Sequence, residues 1–361
     1  MSVRLASVEA IPYALPFKEP YVTARGTLTQ REMVLLRLTT DEGLVGLGEA
    51  VPLSLRGGVT IEQVVRELKE VDASEALHDL IERGELGFGG KTMIDPRLTL
   101  SPPSQAAVLG ALFDLHAREE GAVEQRTAVP CNATLVAGEP AAVAADALGW
   151  AEDGFSTFKL KLGTDQDVAQ VRAVREAVGP GATIRVDANA AWSLANATKL
   201  LAEIEPYDIE LVEQPVATME EAAALSDLSS IPLAGDESIG SADDARRAVE
   251  LDAFQATGIK LAKVGGTFAA IAIAEEIPAY LSSALDGPVG IAAGAEAAIA
   301  IAEENRELGR RAFAHGLATQ RLFASTIATV ECELRDGMLH LPPGPGLGVE
   351  IDEDALQAHR L

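Results

Sequence analysis

Positive charge is scarce in this chain. Its 361 residues hold 29 Lys and Arg against 55 Asp and Glu, a formal net charge of −26. A phosphate backbone is gripped by clustered basic side chains, so this balance argues against a nucleic-acid partner and equally against an anionic membrane surface. Cysteine is nearly absent: Cys131 and Cys332 stand far apart with no CxxC spacing, which fits a reducing interior where both stay thiols. The five histidines (His78, His116, His315, His340 and His359) are scattered and form no His-x-His pair, so zinc is not expected. No run of 18 apolar residues escapes interruption by charge, and MSVRLASVEAIPYALPF carries neither a sustained apolar core nor a cleavage-like site. The expected compartment is the cytoplasm. No fixed-period repeat or low-complexity tract appears.

What is present is an ample core, 48% of residues being apolar. The length suits a barrel of about 250 residues with a smaller companion domain. The first part reads as strands and then helices. SVRLASVEAIPYAL and EMVLLRLTTDEGLVGLGEA read as strand-like runs of β-branched and apolar residues, with DEG as a turn. TIEQVVRELKEV and SPPSQAAVLGALFDLHAREEG are helical, the second starting after a stop-and-cap signal. From Val129 the rhythm becomes strand, helix, strand, helix. VPCNATLV, TFKLKLG, TIRVDANA, IELVEQPV, IPLAGDES, AFQATGIKLA, IPAYLSSALDG and AFAHGLAT are the candidate strands. Eight strands with helices between them imply a parallel α/β barrel. An open doubly wound sheet is the alternative, but no GxGxxG follows a first strand. The stretch from about 330 onward reads as loops and a short strand that pack back on the N-terminal part.

Only eight lysines occur, and four fall in two strand-like stretches: Lys159 and Lys161 in TFKLKLG, Lys260 and Lys263 in TGIKLAKVGG. A lysine seldom enters a core unless it is paired or working. The next strands end in Asp187 and Asn189, in Glu213, and in Asp236 and Glu237. The steps from Lys161 to Asp187, Glu213, Asp236 and Lys260 are 26, 26, 23 and 24 residues, each about one strand-helix unit. In a barrel such ends converge on one mouth. Three carboxylates brought together need a cation, and hard oxygens from Asp187, Glu213 and Asp236 suit Mg2+, with Mn2+ as a substitute. Residues two apart on a strand share a face, so Lys159 and Lys161 point one way, and Lys260 comes from across the barrel. Amines on both sides of a divalent ion suggest removal of a proton α to a carboxylate through an enediolate. Lys161 is then the base, with its pKa lowered towards neutrality by Lys159 and by burial. Taken singly, each of these residues reads as a cap, a surface ion pair or a solvated face. DES could merely cap a helix, and Lys263 is expected to face away from Lys260. His315 reads as structural rather than catalytic. The ordered set, base, acid, acid, acid, base, carries the functional reading.

The motifs KLK, DAN, EQP, GDES and IKLAKVGG resemble those of the enolase superfamily, specifically its muconate-lactonizing subgroup. The resemblance covers nearly the whole chain. It implies a (β/α)7β modified TIM barrel over 126–325, an α+β capping domain over 1–125, and a C-terminal return to the cap over 326–361. It implies Asp187, Glu213 and Asp236 as Mg2+ ligands, Lys161 and Lys260 as catalytic lysines on opposite faces of a small carboxylate, Lys159 beside them, and a homo-oligomer. Asn189 and Glu237 would support the site. LSSALDGPVGIAAG, with Ser282, Ser283 and Leu285, resembles the seventh-strand segment of o-succinylbenzoate synthases, and AHGLAT their eighth-strand end. YVTARGTLTQRE, with Arg25 and Gly26, is similar to their mobile N-terminal loop. HGLATQRL lacks the acids that dipeptide epimerases carry there, whereas IKLAKVGG is closer to cycloisomerases and epimerases than the synthases' LKVAPLGG. The resemblance therefore implies a syn-dehydrating synthase, with N-succinylamino acid racemase, dipeptide epimerase and muconate cycloisomerase as alternatives on the same site, and a non-catalytic carboxylate binder as a distant one.

Overall fold

The structure is a computed structural model and describes residues 4–23, 26–53, 58–72, 99–121 and 128–361. The chain opens with an antiparallel sheet of β1 (Leu5–Thr23), β2 (Gly26–Thr40) and β3 (Val45–Ala50), the last two joined at the DEG turn. Its run MVLLRL is buried on both faces because side chains alternate. Val34, Leu36 and Leu38 face helices α1 (Ile61–Asp72) and α2 (Pro102–Glu120), packing on Val64, Leu68, Ala107 and Ala111. Met33, Leu35 and Tyr13 face the other way, into the large core shared with the barrel. Gly46 and Gly48 let α2 lie on β3, since a Cβ on Gly48 would sit 1.9 Å from the Ala107 carbonyl oxygen. The helix α2 starts at Pro102, inside SPPS rather than after it, and the hydroxyl of the preceding Ser101 donates to Glu67 of α1 at 2.5 Å instead of capping its own helix.

After the short β4 (Ala128–Pro130) come the barrel strands β5 (Ala133–Leu135), β6 (Thr157–Lys161), β7 (Thr183–Asp187), β8 (Ile209–Glu213), β9 (Leu233–Gly235), β10 (Ala256–Ile259) and β11 (Ala279–Leu281), all parallel and in sequence order across the sheet. A helical connection follows each strand: α3 (Pro140–Glu152), α4 (Asp167–Val178), α5 (Leu194–Ile204), α6 (Met219–Ser226), α7 (Ala242–Glu250), the short α8 (Leu261–Val264) with α9 (Thr267–Glu276), and α10 (Pro288–Glu307). The eighth position, expected as a strand in AFAHGLAT, is reduced to two parallel bridges, Cys131 to His315 and Ser282 to Gly316. These close the barrel: His315 N donates to the Pro130 carbonyl at 2.7 Å and Gly316 N to that of Leu281 at 2.7 Å. The result is an α/β fold, a (β/α)7β barrel under an N-terminal cap.

Hydrogen bonds run from the C-terminal stretch to β1 and α2. Asp114 of α2, wholly buried, accepts from Leu47 N of β3 at 2.8 Å and from Leu347 N at 2.6 Å, tying sheet, helix and tail together. Leu361 N donates to the Pro12 carbonyl at 3.0 Å. Where only loops and a short strand were expected, the tail also holds a helix over Glu353–His359, capped by Asp352, whose side chain accepts from Asp354 N and Ala355 N at 3.0 Å. The segment YVTARGTLTQRE is not a free loop in its described part: Tyr21 pairs with Leu28 and Thr23 with Gly26, extending the β1–β2 hairpin. Arg25 lies outside the described residues. Among the described residues no helix is long and apolar enough to cross a membrane.

Candidate functional site

Parallel register fixes the first layer of the barrel mouth. Lys161 of β6 lies opposite Asp187 of β7, and Asp187 opposite Glu213 of β8. Asp236 follows the end of β9, and Lys260 follows β10, where it opens α8. Asp187, Glu213 and Asp236 are fully buried. Lys159 donates to Glu213 Oε1 at 2.6 Å and lies 2.9 Å from Asp187 Oδ2. Lys161 donates to Asp187 Oδ2 at 2.5 Å and to Asn189 Oδ1 at 3.3 Å. Lys260 donates to Asp236 Oδ2. The side chain of Lys161 is 17% exposed against 5% for Lys159 and 9% for Lys260, so Lys161 is the amine nearest the open mouth.

Two expectations are corrected here. Lys263 does not face away. The β10 strand stops at Ile259, so Lys263 sits on a helical turn, which brings it back to donate to the carbonyls of Asp236 and Ile239, the latter at 2.7 Å. Nor is the pKa of Lys161 lowered. Burial, the largest influence, and Lys159 do push it down, but the Asp187 carboxylate, with Tyr21 and Glu213 behind it, raises it further and the net shift is upward. Burial likewise disfavours the charge on Lys159, and Asp187 and Glu213 reverse that. Asp187 would be pushed up by burial alone, yet the two lysines hold its carboxyl well below the usual range.

Backbone geometry aims these groups. Asn189, Ala190 and Gln214 have φ of +48°, +60° and +38°, uncommon for residues with a Cβ, directly after the β7 and β8 ends. The turn lets Asn189 N donate to Asp187 Oδ1 at 2.9 Å. Gln214 braces the next strand end, its Oε1 accepting from Asp236 N at 3.0 Å and Ser238 N at 3.1 Å. Glu237 stands half-buried beside Asp236. Ser282 and Ser283 follow β11, the strand beside Lys260. Ser283 Oγ donates to Asp286 Oδ2 at 2.6 Å and accepts from Leu285 N at 2.9 Å, bracing a loop in which Leu285 takes φ +67°. His315 holds the barrel seam: its Nδ1 accepts from Leu281 N at 3.0 Å, and burial, with Arg185 nearby, pushes its pKa down to about 3.

Two participants, Tyr280 and Arg185, escaped the sequence reading, and a third, Tyr21, opens the segment YVTARGTLTQRE. Tyr21 of the cap, stacked on Phe17 at 5.6 Å, lies near enough to Lys161 to act on its charge. Tyr280 donates to Glu213 Oε2 at 2.5 Å. Arg185, buried on β7, lies 4.8 Å from the Tyr280 ring centroid. Tyr280 stands in the apolar run IPAYL and reads as core; an arginine inside TIRVD was the one available signal.

Among the described residues no three His, Cys, Asp or Glu side chains stand as a ready-made metal cage. The lysines are the cations that hold the carboxylates. The donor set nonetheless fits a hard divalent ion. It is all oxygen, it comes from adjacent strand ends, and one ammonium, that of Lys159, already bonds two of the carboxylates and feels the third, Asp236.

A capped (β/α)7β barrel with lysines flanking carboxylates at its strand ends defines the class. Comparison with known proteins agrees. The "Mandelate racemase / muconate lactonizing enzyme, N-terminal domain" model matches residues 6–123, and the "Enolase C-terminal domain-like" model matches residues 142–355. An o-succinylbenzoate synthase of Thermobifida fusca is 32% identical over 79% of this chain and 83% of its own length. An N-succinyl-L-Arg/Lys racemase of Bacillus cereus is 26% identical over 98% and 97%. The structure of a dipeptide epimerase from Enterococcus faecalis, complexed with Mg and the dipeptide L-Leu-L-Tyr, superposes with a TM-score of 0.81 at 26% identity, covering 96% of this chain and 99% of that one. The chain belongs to the enolase superfamily, in its muconate-lactonizing subgroup. Members of this superfamily are enzymes, among them racemases, epimerases, cycloisomerases and synthases.

Proposed function

We propose that the barrel mouth removes a proton α to a carboxylate on a small substrate, and that the reaction is the syn-dehydration of an o-succinylbenzoate synthase. The observation that carries the first part is the placement of two amines. Lys161 on β6 and Lys260 after β10 are separated by three strands whose ends present Asp187, Glu213 and Asp236. Bound by those three carboxylates, Mg2+ (or Mn2+ in its stead) supplies positive charge against the negative charge that grows on the substrate carboxylate.

The chain's own groups do the rest. Lys161, the more exposed amine, takes the α proton of a cyclohexadiene carboxylate on its Nζ, and the C–H electrons pass into an enediolate. It must first be neutral. The Asp187 carboxylate opposes this, while burial and Lys159 favour it, so any cation that draws on Asp187 tips Lys161 towards its basic form. The β-hydroxyl then leaves from the same face. The proton held on Lys161 is placed to go with it as water, and the ring becomes aromatic. Lys260, from the opposite side, stabilises the intermediate as a cation. Tyr21 of the cap stands close enough to Lys161 to act on its charge, and in this reading it helps to limit water there.

The synthase reading is supported by the Thermobifida fusca relative and by the SSALDG loop. A racemase reading has support of its own: the two opposed lysines are what removal from one face and return to the other require, and the Bacillus cereus relative aligns over nearly the whole chain. The buried, separate thiols Cys131 and Cys332 suit a cytoplasmic enzyme, and a homo-oligomer is the assembly this reading carries. One screen tests the reading. Dehydration, α-proton exchange in deuterated water and racemisation are followed on synthase, N-succinylamino acid, dipeptide and muconate-type substrates, with and without EDTA. EDTA-sensitive loss of water faster than racemisation supports the synthase. Absence of exchange on every candidate overturns the chemistry and favours a binding protein.

A further inference from the structure

Tyr280 lies in the apolar run AYL of β11, and its phenol reaches across the barrel. The ring is fully buried among Leu211, Ala234, Ala256 and Phe313. Its register partner on β10 is Gly258. A Cβ there would meet the Tyr280 ring at 3.2 Å and Glu213 Oε2 at 3.3 Å, so the glycine keeps open the space in which ring and carboxylate meet. The Arg185 guanidinium lies over the ring, 4.8 Å from its centroid, itself held by Glu210 and by the Ala314 carbonyl at 2.7 Å. Phe313 packs at 5.6 Å. A ring held in this way cannot swing. Its hydroxyl donates to Glu213 Oε2 at 2.5 Å while Glu213 Oε1 accepts from Lys159 at 2.6 Å, so the two oxygens of one buried carboxylate are committed to different partners.

We propose that Tyr280 is a positioning residue for Glu213. Its hydroxyl retains one oxygen inside the barrel and so leaves the other as the single donor facing the cation site. Arg185 and Gly258 set the ring that does this. The inference rests on the reading of Glu213 as a ligand of the divalent ion. Partners of this kind that orient a ligand change metal affinity by about 10–100-fold when removed.

The test is a calorimetric titration of Mg2+ into the full-length protein without substrate, beside a melting curve in EDTA. Tyr280→Phe retains the ring and deletes the hydroxyl; its Mg2+ affinity is expected to fall by about 10-fold or more. Gly258→Ala retains the hydroxyl but crowds ring and carboxylate, and is expected to lower the affinity to a smaller extent. It decides alone if Tyr280→Phe does not yield folded protein. A merely structural phenol would change the melting temperature and leave the affinity of the folded protein within twofold of the unsubstituted chain, and that result overturns the inference while the metal reading stands. Failure of the unsubstituted chain to take up Mg2+ overturns the metal reading and this inference with it.

Discussion

Lys161 and Asp187 face each other on neighbouring parallel strands, with Nζ 2.5 Å from Oδ2. Strand pairing alone sets that contact, because both residues stand at the last position of their strand and both point into the mouth. The pair joins a base candidate directly to a ligand candidate, so the charge state of one governs the other.

Removing the base while sparing the ligands separates the two roles. Lys161→Ala is expected to lower turnover by roughly 10^2–10^4-fold or more, the range that a positioned acid or base supplies. Mg2+ affinity should stay close to that of the unsubstituted protein, since Asp187 also has Lys159 at 2.9 Å and remains ionised. Turnover is followed with substrate and affinity by calorimetry. Retained turnover would mean that another residue is the base.

The opposite side of the mouth tests the burial of charge. Asp236 is fully buried and holds Lys260 and, through its backbone, Lys263. Asp236→Ala removes a buried carboxylate from its lysine, a change that costs about 3–5 kcal/mol in stability. The loss should appear in denaturant unfolding in EDTA, before any metal effect enters. An unfolding midpoint equal to that of the unsubstituted protein would show that Lys260 finds equivalent partners without it.

Much of this site was legible because ionisable residues recur once per strand-helix unit, and a strand end is where a barrel exposes side chains. The same logic failed where periodicity changed. Lys263 reads as turned away only if the strand continues, and it stops at Ile259. AFAHGLAT reads as an eighth strand, yet only its central residues bridge, through His315 and Gly316. Tyr280 was invisible because its partner is 67 residues away and its own neighbours are apolar. The upward shift of Lys161 depends on a distance to Asp187 that spacing along the chain does not contain.

The seam histidine gives an acid limit to stability. Buried His315 has its pKa pushed down from 6.5 to about 3. The unfolded chain therefore takes up a proton below about pH 6.5 that the folded chain refuses until about pH 3. Stability from this source is whole above pH 6.5, declines as pH falls, and levels off below 3. His315→Asn, whose amide oxygen can accept from Leu281 N, is expected to flatten that limb by about 1.4 kcal/mol per pH unit. Unfolding curves between pH 4 and 7 that run parallel in both proteins would rule this out.

Glu49 works with the opposite sign at the junction of cap and barrel. Its carboxyl accepts from Tyr13 OH at 2.7 Å and from Gly287 N, at the start of α10, at 2.6 Å, so it ties β3 to the segment after the seventh strand. Burial, then the nearby Asp286, pushes its pKa up from 4.5 to about 7. The folded chain thus holds a proton that the unfolded chain releases above about pH 4.5. Stability from this group is fully present below that pH and is lost as pH rises through about 7, a change of about 3 kcal/mol at ~1.4 kcal/mol per pKa unit. Glu49→Gln is neutral at every pH and nearly the same shape; its oxygen can still accept from Gly287 N. Relative to the unsubstituted protein it should gain stability steadily from pH 5 to 7 and no further above 8. A stability difference that stays constant across this range would show that Glu49 already carries its charge when folded.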